Sequence, residues 1–205
     1  MQPHTKSAHY LATTYDTKAR FASYWQQAQL IQSTNATNFL DIGTGNGFLK
    51  DYLQRRNITL TTVDADCKLT PDICASITTL PLQDKSFDAV SCFQVLEHLD
   101  FIYFAPALRE LRRVSRGRAF ISLPDVGLNL SIGIRLDKLI NISCRLPLHV
   151  VKTSLREDSE HKWEINRKGY PLRRIKREIT SAGWEIRRTF RLFENPYHRF
   201  FILEN

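Results

Sequence analysis

A chain of 205 residues with 42% hydrophobic and 24% charged content is sized for one compact domain with a sizeable core, and two full domains would be cramped. The longest apolar-looking stretch, Val126 to Val151, is interrupted by Arg135, Asp137, Lys138, Arg145 and Pro147, so no transmembrane helix is expected. The net charge of +8 would suit a polyanionic partner, but residues 151–205 set 13 lysines and arginines against 8 acids in an interleaved order, which reads as a solvated basic face rather than a nucleic-acid stripe.

The start, Met1-Gln2-Pro3-His4-Thr5-Lys6, has no apolar run or small-residue cleavage signature after it, so a cytoplasmic location is expected. Cys67, Cys74, Cys92 and Cys144 form no C-x-x-C pair and are read as reduced, structural thiols. Lys18 to Ile31 predicts a helix whose inward face is Phe21, Trp25, Ala28 and Leu30. Asn38 to Ile42 then reads as a short buried strand running into Gly43-Thr44-Gly45-Asn46-Gly47, and Leu49, Tyr52 and Leu53 give a helical face after the loop.

Strands are predicted at Thr59 to Val63, at Ile73 to Ala75, and at Ala89 to Phe93, the last entered through the turn Asp84-Lys85-Ser86. Phe104, Leu108, Leu111 and Val114 mark a helix, and Ala119 to Leu123 a fifth strand stopped by Pro124. This alternation implies an α/β fold with a mostly parallel sheet and right-handed crossovers. The tail differs: Leu172, Ile175, Ile179 and Ala182 stripe a helix capped near Gly183, and the β-rich runs Trp184 to Phe193 and Tyr197 to Leu203 flank Glu194-Asn195-Pro196 as a hairpin at the end of the sheet.

The glycine loop discriminates between ligands. A dinucleotide fingerprint would place its third glycine at position 48, where Phe48 stands; the glycine is at 47. Asp41, two residues before the first glycine, would repel a pyrophosphate. S-adenosylmethionine carries an ammonium and a sulfonium with a carboxylate of its own, so an acidic strand end can attract its cationic part while loop N–H groups receive the carboxylate. Asp64, at the next strand end and about 20 positions after the first glycine, is placed to accept both ribose hydroxyls.

With D-I-G-T-G-N-G, V-D-A-D, L-P-L-Q-D-K-S-F-D-A-V and V-L-E-H-L in hand, the chain resembles the class I S-adenosylmethionine-dependent methyltransferases, and more narrowly the type 11 methyltransferase-domain group, over residues 15–125. The resemblance implies a Rossmann-like fold with helices on both sheet faces and a C-terminal antiparallel hairpin. It also implies that Asp41, Gly43, Thr44, Gly45 and Gly47 hold the methionine part of the cofactor, that Asp64 with Ala65 holds the ribose, that Ser76 and Ile77 border the adenine, and that Gln94 lies near the methyl group. Many members carry an aspartate where Ser76 stands. The segments His161 to Ile165 and Phe193 to Leu203 look like those of small bacterial methyltransferases.

On the acceptor side, His98 reads either as a general base or as a histidine that packs the following helix. No metal is expected at Glu97-His98, because ligands at i and i+1 on a helix diverge. Residues 126–169 form the expected insertion, with Leu128 to Leu148 as a helical lid or a membrane-surface element. Within it, His161 or Glu164 contacts the acceptor and Trp163 walls the site, or the segment is an exposed loop anchored by one packed tryptophan. The expected acceptor is a small molecule or a glycan. An RNA or protein acceptor using the basic surface, or cofactor binding without turnover, is the alternative.

Overall fold

The computed structural model describes residues 10, 12, 14–127, 129–136, 140–147 and 160–205. Its centre is a seven-stranded sheet. The strands are β1 (Phe39–Ile42), β2 (Leu60–Asp64), β3 (Ile73–Cys74), β4 (Phe87–Phe93), β5 (Ser115–Pro124), β8 (Glu185–Arg191) and β9 (His198–Glu204), with β6 (Asn129–Leu136) and β7 (Ile140–Pro147) set apart. The helices are α1 (Lys18–Gln32), α2 (Phe48–Gln54), α3 (Phe104–Val114) and α4 (Leu172–Ser181).

The order is β3-β2-β1-β4-β5-β9-β8. The first five strands are parallel, and β9 runs antiparallel between β5 and β8. All four β1 residues are buried, as expected for a parallel strand covered on both faces. Chain direction reverses its spread at β1 and β4, so a crevice opens beyond their carboxyl ends, the usual ligand position in such sheets.

Side chains alternate between two cores. Leu40, Ile42, Val90 and Ile121 join α3, α4 and Trp184 on one face. Phe39, Ala89, Phe120 and Phe200 join α1 and α2 on the other. α3 turns Phe104, Ala107, Leu108, Leu111 and Val114 inward, the i, i+3, i+4, i+7 pattern of the sequence. The Trp184 indole N–H donates to the Leu108 carbonyl (2.9 Å), tying the start of the terminal hairpin to α3.

Three expectations are corrected. α1 begins and ends close to its expected bounds, but it buries Tyr24, Gln27, Ala28, Leu30 and Ile31, while Phe21 and Trp25 are exposed. Apolar residues three and four apart occur on two neighbouring faces of this helix, and contact with the sheet and the crevice selects the one carrying Tyr24. The stretch expected as a helical lid is instead the antiparallel ribbon β6–β7, paired from Asn129↔Pro147 to Leu136↔Ile140; its alternating, β-branched content suits a strand. Finally, Cys67 and Cys74 form a disulfide across the β2–β3 connection, with Cα atoms 5.3 Å apart, while Cys92 is a buried free thiol. Nothing in their spacing signals that approach. Residues 148–159 of the expected insertion and the polar start at 1–9 lie outside the described residues.

Candidate active site

A cavity of about 350 Å³ occupies the crevice at the carboxyl ends of β1 to β4. β1 delivers Asp41 into the loop 43–47, where Gly43, Gly45 and Gly47 all have positive φ. Gly43 (φ +95°) is required for two reasons: its backbone is left-handed, and a Cβ there would lie 2.3 Å from Val95 Cγ2. The Gly43 amide donates to the Val63 carbonyl (2.8 Å), carrying the β1–β2 pairing one step past the strand.

Asp64 anchors the loop from β2. One carboxylate oxygen accepts the Thr44 amide (2.8 Å) and the other the Asp66 amide (2.9 Å). Burial pushes the Asp64 carboxyl up, and those amides pull against it. The Thr44 hydroxyl is buried in the cavity wall with no hydrogen-bond partner among the described residues. Asp41 is buried, and Ser91 donates to it at 2.5 Å. Burial raises its carboxyl to about 7, with Ser91 opposing and the nearby Asp64 adding to the rise.

Beyond β3, Ser76 shares a 2.9 Å hydrogen bond with Thr78, and Ile77 closes that end of the cavity. Beyond β4, Gln94 adopts φ +56° and its amide side chain donates to the Ser122 hydroxyl (3.1 Å). Of the residues expected to hold a cofactor, Asp41, Gly43, Thr44, Gly45, Asp64, Ala65, Ser76, Ile77 and Gln94 line the cavity. Gly47 does not; it is the left-handed N-cap of α2.

Of the three acceptor-side candidates, His98 lines the cavity, whereas His161 and Glu164 stand behind it. The segment carrying them is stitched to the β4–α3 connection: the Lys162 amide donates to the Glu97 carbonyl (2.8 Å) and the Trp163 indole N–H to the Leu99 carbonyl (3.1 Å). Trp163 is therefore not a cavity wall. It is fully buried among Phe101, Phe104 and Tyr170, because a large indole beside α3 gains more from that core than from a wet crevice.

Glu164 is engaged by His161 Nδ1 (3.0 Å), by Arg167 (2.5 Å) and by the Tyr197 hydroxyl. Burial alone would raise its carboxyl; these three donors outweigh it and hold it at about 2. The His98 and His161 rings meet edge to face at 5.0 Å between centroids. Glu97 is wholly buried beside them, and burial pushes its carboxyl up to about 7 with His161 pulling against. The expectation of divergent ligands at Glu97-His98 treated the pair alone on an α-helix. The pair occupies a 3-10 turn, and His161 arrives from the insertion to face it.

Several cavity residues were not singled out from sequence. Tyr10, Tyr15, Arg20 and Gln27 enter from the N-terminal segment and α1, and His198 from the start of β9. Tyr24 and Asn46 both hydrogen-bond the Asp16 carboxylate, which closes this segment over the glycine loop. Of the adjacent aromatics Tyr24 and Trp25, Tyr24 is the inward member. His198 gives no local signal at all; burial lowers its imidazole to about 3.

The fold and crevice define a Rossmann-like α/β protein with an acidic, glycine-lined pocket at the sheet's switch point. A methyltransferase-domain family model matches residues 40–122, the stretch from β1 to β5. The fold around that stretch is the Rossmann-like fold of solved class I methyltransferases. A curated relative, an uncharacterized protein of Methanocaldococcus jannaschii, is 32% identical over 91 residues; the match spans 41% of this chain and 39% of that protein.

Solved structures share the fold. The 1,6-didemethyltoxoflavin-N1-methyltransferase of Burkholderia thailandensis, with 1,6-didemethyltoxoflavin and S-adenosylhomocysteine bound, superposes with a TM-score of 0.62 at 13% identity, over 97% of this chain and 84% of that one. A glycopeptide N-methyltransferase complexed with S-adenosylhomocysteine gives 0.64 at 12% identity, over 98% of each chain. A SAM-dependent methyltransferase from Aquifex aeolicus gives 0.59 at 16% identity, also over 98% of each.

Proposed function

We propose that this chain binds S-adenosylmethionine in the crevice and transfers its sulfonium methyl group to a small-molecule acceptor presented beside His98. The observation that carries the reading is the coupled pair of strand ends: Asp64, held by the Thr44 amide, stands across the glycine loop from buried Asp41. Two carboxylates close enough for Asp64 to raise the Asp41 carboxyl suit a cationic ligand and oppose a pyrophosphate. Asp64 takes the ribose hydroxyls. The loop amides and the Thr44 hydroxyl take the methionine carboxylate, while Ser76 and Ile77 border the adenine. Gln94 lies toward the methyl group.

The transfer is an in-line displacement in which the acceptor's lone pair attacks the methyl carbon as the carbon–sulfur bond breaks and S-adenosylhomocysteine leaves, so placement of the acceptor is the main requirement. His98 stands at that position, and His161 with Glu164 acts through it as a positioning pair. Small-molecule acceptors are supported by the acceptor named for the Burkholderia enzyme. They are supported also by the pairing of exposed arginines with acids, such as Arg118 and Arg187 with Glu204, which interrupts the basic surface there.

The test incubates the protein and methyl-labelled S-adenosylmethionine with fractionated cell extract. Label in the low-mass fraction is the expected result. Label in RNA or protein overturns the acceptor class, and no transfer to any fraction despite cofactor binding overturns turnover.

A further inference from the structure

Among the described residues the Glu97 carboxylate is the least satisfied buried side chain. It is completely buried, and neither oxygen has a hydrogen-bond partner among the described residues. Protonation would remove the charge but still leave an O–H and a carbonyl oxygen without partners, so neutralising this side chain does not account for it. One oxygen faces His161 Nε2 at 4.0 Å, too far for a hydrogen bond. Glu97, His98 and His161 each offer a ligand atom, and the three atoms lie within 4.8 Å of one another.

The surroundings match those of a metal site. His161 Nδ1 is held by the Glu164 carboxylate at 3.0 Å, with the Tyr197 hydroxyl at 3.1 Å, and this leaves Nε2 as the atom turned toward Glu97. A carboxylate behind a histidine is the usual outer contact of a metal-ligating imidazole: it fixes the tautomer and raises the ring's basicity. His98 has a longer contact of the same kind, from Nδ1 to the Glu160 carbonyl at 3.4 Å. Glu164, which is itself anchored by Arg167, cannot swing in to replace Glu97.

We propose that Glu97, His98 and His161 form a binding site for one divalent transition-metal ion of the zinc type. Two imidazoles and one carboxylate are a donor set for zinc, and with three protein ligands a fourth position stays open. His98 belongs both to this cluster and to the cavity wall, so the open position borders the acceptor side of the crevice. Tetrahedral bonds of about 2.0–2.2 Å need ligand atoms closer than they now stand, so loading draws the three side chains inward by about an ångström. Such an ion would bind an acceptor oxygen and lower its pKa, its proton passing to water before attack on the methyl carbon. That role, unlike the binding itself, rests on the methyl-transfer reading.

The experiment titrates the full chain, freed of metal with a chelator and without S-adenosylmethionine, with Zn²⁺ by calorimetry and with Co²⁺ by visible absorption. Wild type should take one ion per chain, show cobalt bands of a low-coordinate nitrogen and oxygen site, and melt at a higher temperature with Zn²⁺. Glu164→Gln should weaken Zn²⁺ by about 10–100-fold, the usual effect of losing an outer carboxylate. Glu97→Gln, which preserves side-chain volume, and His161→Ala should weaken it further. Failure of the wild type to bind at millimolar Zn²⁺, or binding that neither Glu97→Gln nor His161→Ala alters, overturns the proposal. The wild-type spectrum decides the matter even where a variant fails to fold, and methyl transfer can succeed or fail independently of it.

Discussion

Asp64 accepts the Thr44 amide across 2.8 Å, so the carboxylate at the tip of β2 fixes the loop at the tip of β1. In the proposed function the same oxygen pair takes the ribose hydroxyls. Asp64→Ala should weaken S-adenosylmethionine binding by about 1.5–3 kcal/mol, the range for loss of a charge-assisted acceptor. Because the residue sits at a strand end, the thermal transition should change little. Calorimetry on the variant is the check, and unaltered affinity would remove the ribose assignment.

Gly43 is the loop position least able to accept a side chain. Its left-handed backbone and the approach of Val95 together predict that Gly43→Ala costs about 1–3 kcal/mol of stability and weakens cofactor binding as the loop shifts. Gly47→Ala, whose Cβ would meet nothing within 4 Å, should suffer only its backbone strain and bind the cofactor better than Gly43→Ala. Urea titration and calorimetry of both variants test the contrast.

Asp41 links binding to pH. Burial holds its carboxyl at about 7, so the folded chain keeps a proton there that the unfolded chain has released above about 4. Its stabilising contribution is therefore full below the unfolded value and is lost as pH rises toward 7. A cationic ligand favours the ionised form and reverses the preference. Binding of S-adenosylmethionine should tighten from pH 5.5 to 7.5 with proton release, and Asp41→Asn should flatten both; calorimetry in buffers of different ionisation enthalpy measures them.

Trp163 separates a structural role from a catalytic one. Trp163→Ala should cost about 3–5 kcal/mol, as for other buried aromatics. Trp163→Phe should retain most of that and lose the contact to the Leu99 carbonyl. Cofactor affinity of folded Trp163→Phe should stay within about twofold of wild type, since the residue touches the core and not the cavity. A large drop in affinity with unchanged stability would return Trp163 to the site wall.

Much of this was legible in local pattern. A buried strand, a glycine turn and an acidic strand end are encoded by neighbours in sequence, so Asp41, Thr44 and Asp64 could be named before any fold was known. The α3 stripe was equally plain, because its five buried residues repeat at helical spacing. What escaped was set by tertiary contact. Tyr24 and Gln27 face inward because a polar crevice, not an oily core, lies beneath that part of α1. The Cys67–Cys74 bond, the arrival of His198 at the cavity and the meeting of His161 with Glu97 join residues that no spacing rule connects. Leu128 to Leu148 was read for lid chemistry, and its strand content was outweighed by scattered apolar residues.

The central claim is that the crevice is built for a sulfonium-bearing, cationic cofactor rather than a dinucleotide. Calorimetry of the purified chain with S-adenosylmethionine, S-adenosylhomocysteine and NAD tests it in one series. One site each for the first two, no binding of NAD, and weaker binding in Asp64→Ala are predicted. Binding of NAD with neither of the others would contradict the account, whatever the fold of the sheet around it.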